Sequence, residues 1–140
     1  MARAESKAIM GYLPIEEKHH EAILSLVSTA PPGAKVLDPF AGEGRFLEKA
    51  AKTWGMLPYA NELDGDRAEK CIERFGPLQA VQCDVERLIA TNEGFSVGFY
   101  NPPYDRDKVD SSGSKTKRIE FRYLRHAWKW ICDGGIVFWV

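Results

Sequence analysis

The most informative part of the chain is Val36–Leu47, whose sequence is VLDPFAGEGRFL. An apolar pair that suits a buried strand opens it, and the proline after Asp38 has no N–H to donate to a sheet ladder. The strand is therefore predicted to end at Asp38. Gly42 and Gly44 allow a tight turn and a close approach of the backbone to a ligand, and apolar residues at helical spacing follow. Strand, glycine-rich turn and helix together are typical of the ligand-binding corner of an open α/β sheet.

The residues of this corner limit its ligand. A dinucleotide fingerprint needs a third glycine three residues after Gly44, where this chain has Leu47. Asp38 at the strand end would also set a carboxylate against a pyrophosphate. A cationic ligand fits better. An ordinary turn with two structural glycines is the alternative, because a GxG pair alone is a weak signal.

Composition narrows the class of protein. The chain has 140 residues, of which 44% are hydrophobic, as expected for one globular domain. No apolar run reaches the roughly 20 residues of a membrane span, and the first residues lack the apolar region of a secretory signal. We therefore expect a cytoplasmic protein without a membrane partner. The formal net charge of −1 means that any nucleic-acid contact must come from a local patch.

Neither the cysteines nor the histidines indicate a metal site. The three cysteines are scattered and form no CxxC pair, so we expect reduced thiols and neither a disulfide framework nor zinc. His19 and His20 are adjacent and point to different faces of a helix, so they cannot chelate one metal together. Both are predicted to be exposed to solvent.

Strands and helices alternate along the chain. Strands are predicted at 36–38, 57–62, 78–83, 95–100 and 136–140. Helices are predicted at 16–30, 45–54, 65–75 after a cap at Asp64, 85–90 and 118–132, with Gly134 and Gly135 closing the last one. This order predicts one domain, 1–140, with a Rossmann-like open parallel sheet and helices on both faces. Residues 1–11 are expected to be mobile and 105–117 to form a flexible loop.

Polar side chains are predicted at the carboxyl ends of four strands, namely Asp38, Glu62, Asp84 and Asn101. In an open parallel sheet a ligand binds outside these ends, at the point where the strand order reverses. Glu62 stands 20 residues after Gly42, the usual place for an acidic residue that binds ribose hydroxyls. A polar strand end without a ligand is the alternative for Glu62.

The tetrapeptide Asn101–Tyr104, NPPY, follows the fourth predicted strand. Its two prolines fix the backbone and remove two N–H donors. Carbonyl oxygens and the side-chain oxygen of Asn101 can then face a ligand as acceptors, and an exocyclic amino group supplies two matching donors. Tyr104 adds a flat surface for stacking. A rigid loop with an exposed aromatic ring is the alternative.

The two motifs together carry a resemblance to a known family. DPFAGEG followed by NPPY resembles the class I S-adenosylmethionine-dependent amino-methyltransferases, above all the adenine-N6 DNA methyltransferases in which the cofactor motif precedes NPPY. The resemblance covers about residues 12–140. It extends to Tyr12-Leu13-Pro14, which is similar to the cofactor-clamping segment of that group, with Leu13 where the family usually has threonine. The family's catalytic domain has two further strands, and its DNA enzymes usually carry a separate recognition domain. This comparison implies that the C-terminal strands are missing or truncated here.

The resemblance implies a role for each motif residue. S-adenosylmethionine, with its ammonium and sulfonium groups, is the implied cofactor. Asp38 and the glycine turn would hold its methionine part, Glu62 its ribose, and Asp84 the amino group of its adenine. Asn101 and Pro102 would receive the target amine. The residues assigned to the cofactor are Tyr12, Pro14, Asp38, Phe40, Ala41, Gly42, Gly44, Glu62, Leu63, Asp84, Val85 and Asn101, and those assigned to catalysis are Asn101, Pro102, Pro103 and Tyr104.

The acceptor is open between several classes of molecule. The sequences of the two motifs are most similar to those of the enzymes that act on adenine in DNA. An RNA base amine and a protein glutamine amide are alternative acceptors, and a non-catalytic cofactor-binding module is the alternative to an enzyme. Residues 105–125 carry a net charge of +3 beside NPPY, which suits a loop that contacts phosphates. A solvated loop and helix face explains the same charges equally well.

Overall fold

The computed structural model describes residues 13–28, 30–103 and 119–140. Five strands lie in this part of the chain: β1 (Lys35–Asp38), β2 (Leu57–Glu62), β3 (Ala80–Gln82), β4 (Phe95–Tyr100) and β5 (Ile131–Trp139). The helices there are α1 (His20–Leu24), α2 (Arg45–Trp54), α3 (Gly65–Phe75) and α4 (Ile119–Ala127), with single 3₁₀ turns at Glu17–His19 and Trp128–Trp130.

All strand pairs of the described sheet are parallel, and the strand order is β3-β2-β1-β4-β5. The predicted Rossmann-like open parallel sheet is confirmed. From β1 the chain proceeds outward through β2 to β3 and then returns to the other side of β1 with β4. The order thus reverses between β1 and β4, and the carboxyl ends of these two strands flank the crevice where such sheets bind ligands.

Each face of the sheet has its own apolar core, because successive side chains of a strand point to opposite faces. Val36 packs with α2 and α3 in a cluster around Trp54, whose indole N–H donates to the carbonyl of Leu24 at 2.9 Å. Leu37 packs with α4 in a second cluster around Trp130. Helices therefore cover both faces, as the sequence predicts.

Glycine and capping residues set the helix boundaries that the sequence predicts correctly. α2 begins directly after Gly44 and ends at Gly55, and both glycines have positive φ. α3 begins after Asp64, whose side chain accepts the backbone N–H of Arg67 at 3.1 Å. The predicted bounds of β2 and β4 are also confirmed.

The helix predicted over 16–30 is wrong in length, since α1 ends at Leu24. Tertiary hydrogen bonds explain the early stop. The carbonyl of Leu24 accepts from the Trp54 indole, and the N–H of Ala30 donates to the Trp54 carbonyl at 2.9 Å. The prediction that His20 is exposed is also wrong, because its side chain is buried and bonds to the Ile15 carbonyl, while His19 is exposed.

The segment between β2 and β4 differs from the prediction in two ways. β3 spans only Ala80–Gln82 rather than 78–83, and Leu78 before it is exposed. The helix predicted over 85–90 is absent from this described segment, which forms a turn instead. The side chain of Asp84 accepts the backbone N–H of Glu86 at 3.0 Å, and this local bond offers the backbone an alternative to a helix.

The last described elements are also shifted from their predicted bounds. α4 ends at Ala127 rather than at 132, and β5 begins at Ile131 rather than at 136. Gly134 and Gly135 do not close a helix. They lie within β5, where the pairing with β4 jumps from Ile131 to Ile136 and Gly134 has φ of 75°. The glycines therefore form a bulge inside the strand.

Candidate functional site

The polar side chains predicted at strand ends lie along one edge of the sheet. Asp38 and Glu62 are the last residues of β1 and β2, Asn101 follows β4 directly, and Asp84 lies two residues beyond β3. Because the strands are parallel, their carboxyl ends meet at the same edge. Two cavities open there.

The smaller cavity, of about 70 Å³, lies over the ends of β2 and β3, and the larger one, of about 350 Å³, lies over the end of β1. Phe40 and Asn101 line both cavities, so the two adjoin. Residues lining the smaller cavity include Leu13, Glu62, Leu63, Arg67, Asp84, Val85, Asn101, Pro103 and Tyr123, and those lining the larger one include Pro14, His20, Asp38, Phe40, Ala41, Glu43 and Arg45.

Glu62 binds the glycine turn to the end of β2. Its Oε2 accepts the N–H of Gly42 at 2.8 Å, and its Oε1 accepts the N–H groups of Leu63 and Asp64 at 3.0 Å each. The guanidinium of Arg67 donates to the same Oε1 at 3.0 Å. Oε1 thus accepts from three donors, whereas Oε2, which accepts the Gly42 N–H, has capacity for a further donor such as a hydroxyl group.

Asp38 is a buried carboxyl group, only 4% exposed, on the wall of the larger cavity. Burial raises its pKa to about 8; the N–H of Phe40, which donates to Oδ1 at 2.9 Å, opposes this change, and the negative Glu62 carboxylate reinforces it. A carboxyl group in such a position is stabilised in its charged form by a cation entering the cavity. This corner therefore suits an ammonium group, in line with the cationic ligand that the sequence indicates.

The glycine turn is packed against α3. Gly44 has φ of 75°, and a Cβ atom there would lie 2.7 Å from Cε2 of Phe75. Nearby, the thiol of Cys71 donates to the Gly42 carbonyl at 3.1 Å. The close approach at Gly44 is thus to a neighbouring helix, while the N–H of Gly42 is directed at Glu62.

The Asn-Pro-Pro segment borders both cavities. The Asn101 side-chain amide donates to the Leu13 carbonyl at 2.7 Å, Pro102 is buried and Pro103 lines the smaller cavity. Two residues of the predicted site, Tyr12 and Tyr104, lie outside the described residues. So do five of the seven basic residues of 105–125; of the other two, Arg122 pairs with Glu86 and Arg125 is exposed.

Asn61 is a site residue that the sequence interpretation missed. Its amide nitrogen donates to the carbonyls of Pro39 and Cys83, at 3.0 Å each, and so joins the ends of β1 and β3 across β2. Its Oδ1 is buried and has no hydrogen-bond partner among the described residues. A polar side chain within an apolar strand, directly before Glu62, was the available signal.

The described part of the chain contains neither a candidate metal site nor a disulfide. No cluster of three or more His, Cys, Asp or Glu side chains able to hold a metal ion occurs in residues 13–28, 30–103 and 119–140. The three cysteines all lie in these ranges and are free thiols. No helix in the same part of the chain is long and apolar enough to cross a bilayer.

Comparison with solved structures places this geometry in a known fold. A geranyl diphosphate methyltransferase in complex with GPP and sinefungin matches with a TM-score of 0.63 and 14% identity over 86% of this chain and 43% of its own. DesVI of Streptomyces venezuelae matches with 0.59 and 21% over 86% and 48%. A SAM-dependent methyltransferase from Thiobacillus denitrificans in complex with S-adenosyl-L-homocysteine matches with 0.61 and 16% over 89% and 48%.

The chain has the fold of these methyltransferases. It spans about half the length of each of the three. No protein-family model matches the chain, and no curated protein matches its sequence. At these identities the comparison establishes the fold.

Proposed function

We propose that this chain binds S-adenosylmethionine and belongs to an enzyme that methylates an exocyclic amino group, N6 of adenine in DNA being the favoured acceptor. The observation that carries the proposal is the position of the Asn-Pro-Pro segment beside two cavities whose walls hold Asp38, Glu62 and Asp84. The methyltransferase fold of solved structures with bound sinefungin or S-adenosyl-L-homocysteine supports the cofactor.

The residues present fit the cofactor by their chemistry. Asp38, buried and with its pKa raised to about 8, gains a partner when an ammonium group enters the larger cavity. The Oε2 of Glu62 has capacity for one ribose hydroxyl. Asp84 and Val85, on the wall of the smaller cavity, suit the polar edge and the flat face of an adenine ring. Phe40 lies where the two cavities adjoin.

Asn101 and Pro102 are the groups proposed to act on the acceptor. An exocyclic amine is a poor nucleophile because its lone pair is delocalised into the ring. Hydrogen bonds from the amine to the Asn101 Oδ1 and the Pro102 carbonyl favour a tetrahedral nitrogen and localise that lone pair. The amine becomes cationic as it attacks, so these acceptors stabilise the transition state more than the ground state. The cofactor, when bound, would supply an electrophilic methyl group: the N–C bond would form as the S–C bond breaks, the neutral thioether would leave, and the methylated amine would then lose one proton to water.

DNA is favoured as the acceptor because the sequences DPFAGEG and NPPY together are most similar to the corresponding motifs of the adenine-N6 DNA methyltransferases. A target base in a duplex must be flipped out of the stack, at a cost of a few kcal/mol. Tyr104 is proposed to stack on the flipped base. The basic residues that follow it are proposed to contact the phosphate backbone, and sequence recognition would then belong to a separate domain or subunit.

The test is a panel of acceptors with methyl-labelled S-adenosylmethionine. Duplex DNA, structured RNA and a protein extract are incubated with the parent protein and with Asn101→Ala, and the label in each acceptor is counted. Label in DNA adenine that disappears in the variant supports the proposal. Label in RNA or in glutamine amides would show that RNA or protein, rather than DNA, is the acceptor. Cofactor binding without transfer to any member of the panel would contradict the proposed activity and indicate a binding module.

A further inference from the structure

A hydrogen bond joins the N-terminal segment to the proposed catalytic amide. The Nδ2 of Asn101 donates to the carbonyl oxygen of Leu13 at 2.7 Å, across 88 residues of sequence. The carbonyl only accepts, so this contact requires the nitrogen of the amide, and reversing the amide would set two oxygens against each other. The amide of Asn101 therefore has a defined orientation, with Oδ1 on the branch that does not contact Leu13.

The same segment is held at a second point by His20. The Nε2 of His20 lies 3.1 Å from the carbonyl oxygen of Ile15, and because that oxygen only accepts, Nε2 carries the proton. The imidazole is buried and meets the ring of Phe46 edge-on, with centroids 5.0 Å apart. Pro14, between the two anchored carbonyls, has a fixed φ. Residues Leu13–Ile15 thus form a short bridge, which we call the Leu13–Ile15 bridge, fastened at both ends.

The bridge runs along both cavities. Leu13 lines the smaller cavity, with Glu62 and Asp84, and Pro14 and Ile15 line the larger one, with Asp38. The side chain of Leu13 is 59% exposed, so its apolar surface contributes little to the core. The contact that Leu13 does make is through its backbone carbonyl, which accepts the hydrogen bond from the Asn101 side-chain amide.

We propose that His20 and the Leu13–Ile15 bridge are positioning groups for the methyl transfer, which hold the Asn101 amide with its oxygen ready for the incoming amine. This inference rests on the proposed function. An acceptor that is already oriented needs no reorganisation when charge develops on the amine, and this is where preorganised groups contribute most to rate. His20 acts through the bridge and Asn101, and it touches neither reacting atom.

The arrangement also accounts for asparagine rather than aspartate at position 101. A carboxylate would be the stronger acceptor for an amine that is becoming cationic. It has no hydrogen for the Leu13 carbonyl, however, and would place a charged oxygen against that carbonyl. If the acceptor alone mattered, Asn101→Asp would be tolerated; if the bridge orients the amide, the substitution disrupts the site.

The first test is made on the ligand-free protein by NMR. The exchange of the Asn101 side-chain amide protons with water is measured in the parent, His20→Ala, His20→Gln and His19→Ala. His19 is the adjacent, exposed histidine and serves as the matched control. We expect exchange to accelerate at least about tenfold in His20→Ala and to stay close to the parent in His19→Ala and in His20→Gln, which keeps an N–H donor. Equal exchange rates in His20→Ala and His19→Ala would overturn the inference.

The second test separates positioning from a merely structural role. Single-turnover transfer rates and cofactor dissociation constants are measured for His20→Ala, Asn101→Asp and the double variant. At saturating cofactor each single variant should still lose about tenfold or more in rate, and the double variant should be no slower than Asn101→Asp. Losses that multiply, or full activity of Asn101→Asp, would overturn the inference. Should His20→Ala not fold, full activity of Asn101→Asp would still overturn the inference.

Failure of the proposed function is recognised separately. In that case the parent protein binds no S-adenosylmethionine or transfers no methyl group, whatever the state of the bridge. The NMR comparison needs neither cofactor nor acceptor, so it still decides whether His20 fixes the Asn101 amide.

Discussion

Replacing Asp38 by asparagine tests whether the buried carboxyl group of Asp38 keeps its proton in the folded protein. Burial raises the pKa of Asp38 to about 8 from an ordinary 3.8, against the N–H of Phe40 and together with the negative Glu62. Between these two pH values the folded protein holds a proton that the unfolded chain has released. The free energy of unfolding therefore falls as pH rises through this range. Asparagine has the shape of the protonated carboxyl group and does not titrate.

The size of the effect follows from the two pKa values. Because one pKa unit is worth about 1.4 kcal/mol, the contribution of Asp38 to stability falls by at most about 4 kcal/mol between pH 5 and pH 8. Asparagine keeps the uncharged state of the protonated carboxyl group, so the difference in unfolding free energy between Asp38→Asn and the parent should grow as pH rises. From pH 5 to pH 8 this difference should grow by up to that amount, in favour of the variant. A bound cation favours the charged carboxylate, so cofactor affinity in the parent should rise with pH up to about 8 and be independent of this group in the variant.

The assay is urea unfolding followed by tryptophan fluorescence at pH values from 5 to 8, in the absence of cofactor. The quantity of interest is the difference in unfolding free energy between the parent and Asp38→Asn, because other titrating groups cancel in it. Asp66→Asn, at an exposed position of α3, is the matched control and should follow the parent. Parallel stability curves for the parent and Asp38→Asn would refute the reasoning, since they would mean that Asp38 titrates alike in folded and unfolded chains.

Three further predictions concern the acceptor site, the basic segment and the core. Asn101→Ala should abolish methyl transfer, measured in single-turnover assays, while lowering cofactor affinity, measured by calorimetry, less than Asp38→Ala does. Full turnover in Asn101→Ala would mean that the Asn-Pro-Pro segment has only a structural role. Replacing Lys115, Lys117 and Arg118 with alanine should flatten the salt dependence of nucleic-acid affinity by roughly one unit per lost phosphate contact, and an unchanged slope would exclude such contacts. Trp54→Ala, which removes a fully buried indole bonded to the Leu24 carbonyl, should cost about 3–5 kcal/mol in urea unfolding, and a loss under about 1 kcal/mol would contradict the packing described.

Much of the fold follows from local signals that are strong in this sequence. α2 lies between Gly44 and Gly55, and α3 between the cap at Asp64 and Gly76, so their bounds are predicted correctly. The alternation of strands and helices then leads to a parallel sheet. Because parallel strands share one edge, the predicted strand-end residues Asp38 and Glu62 lie together there.

The features that the sequence interpretation misses depend on contacts between distant residues. α1 ends early because the Leu24 carbonyl bonds to the Trp54 indole, 30 residues away. His20 is buried because the Ile15 carbonyl and Phe46 surround it, which helical spacing alone does not reveal. Gly134 falls in a bulge of β5 that only the pairing with β4 defines. The hydrogen bond between Glu62 and the glycine turn is a further contact of this kind, because no rule of sequence spacing predicts it.

Calorimetric titration of S-adenosylmethionine tests most directly the claim that the strand-end carboxylates hold this cofactor. The parent protein is compared with Asp38→Ala and Glu62→Ala, and with Glu73→Ala as an exposed control on α3. We predict saturable binding to the parent and the control, and a loss of at least about tenfold in affinity in each site variant, since each removes a charge-assisted contact. Parent-like affinity in both Asp38→Ala and Glu62→Ala, or no binding to the parent, would contradict the account.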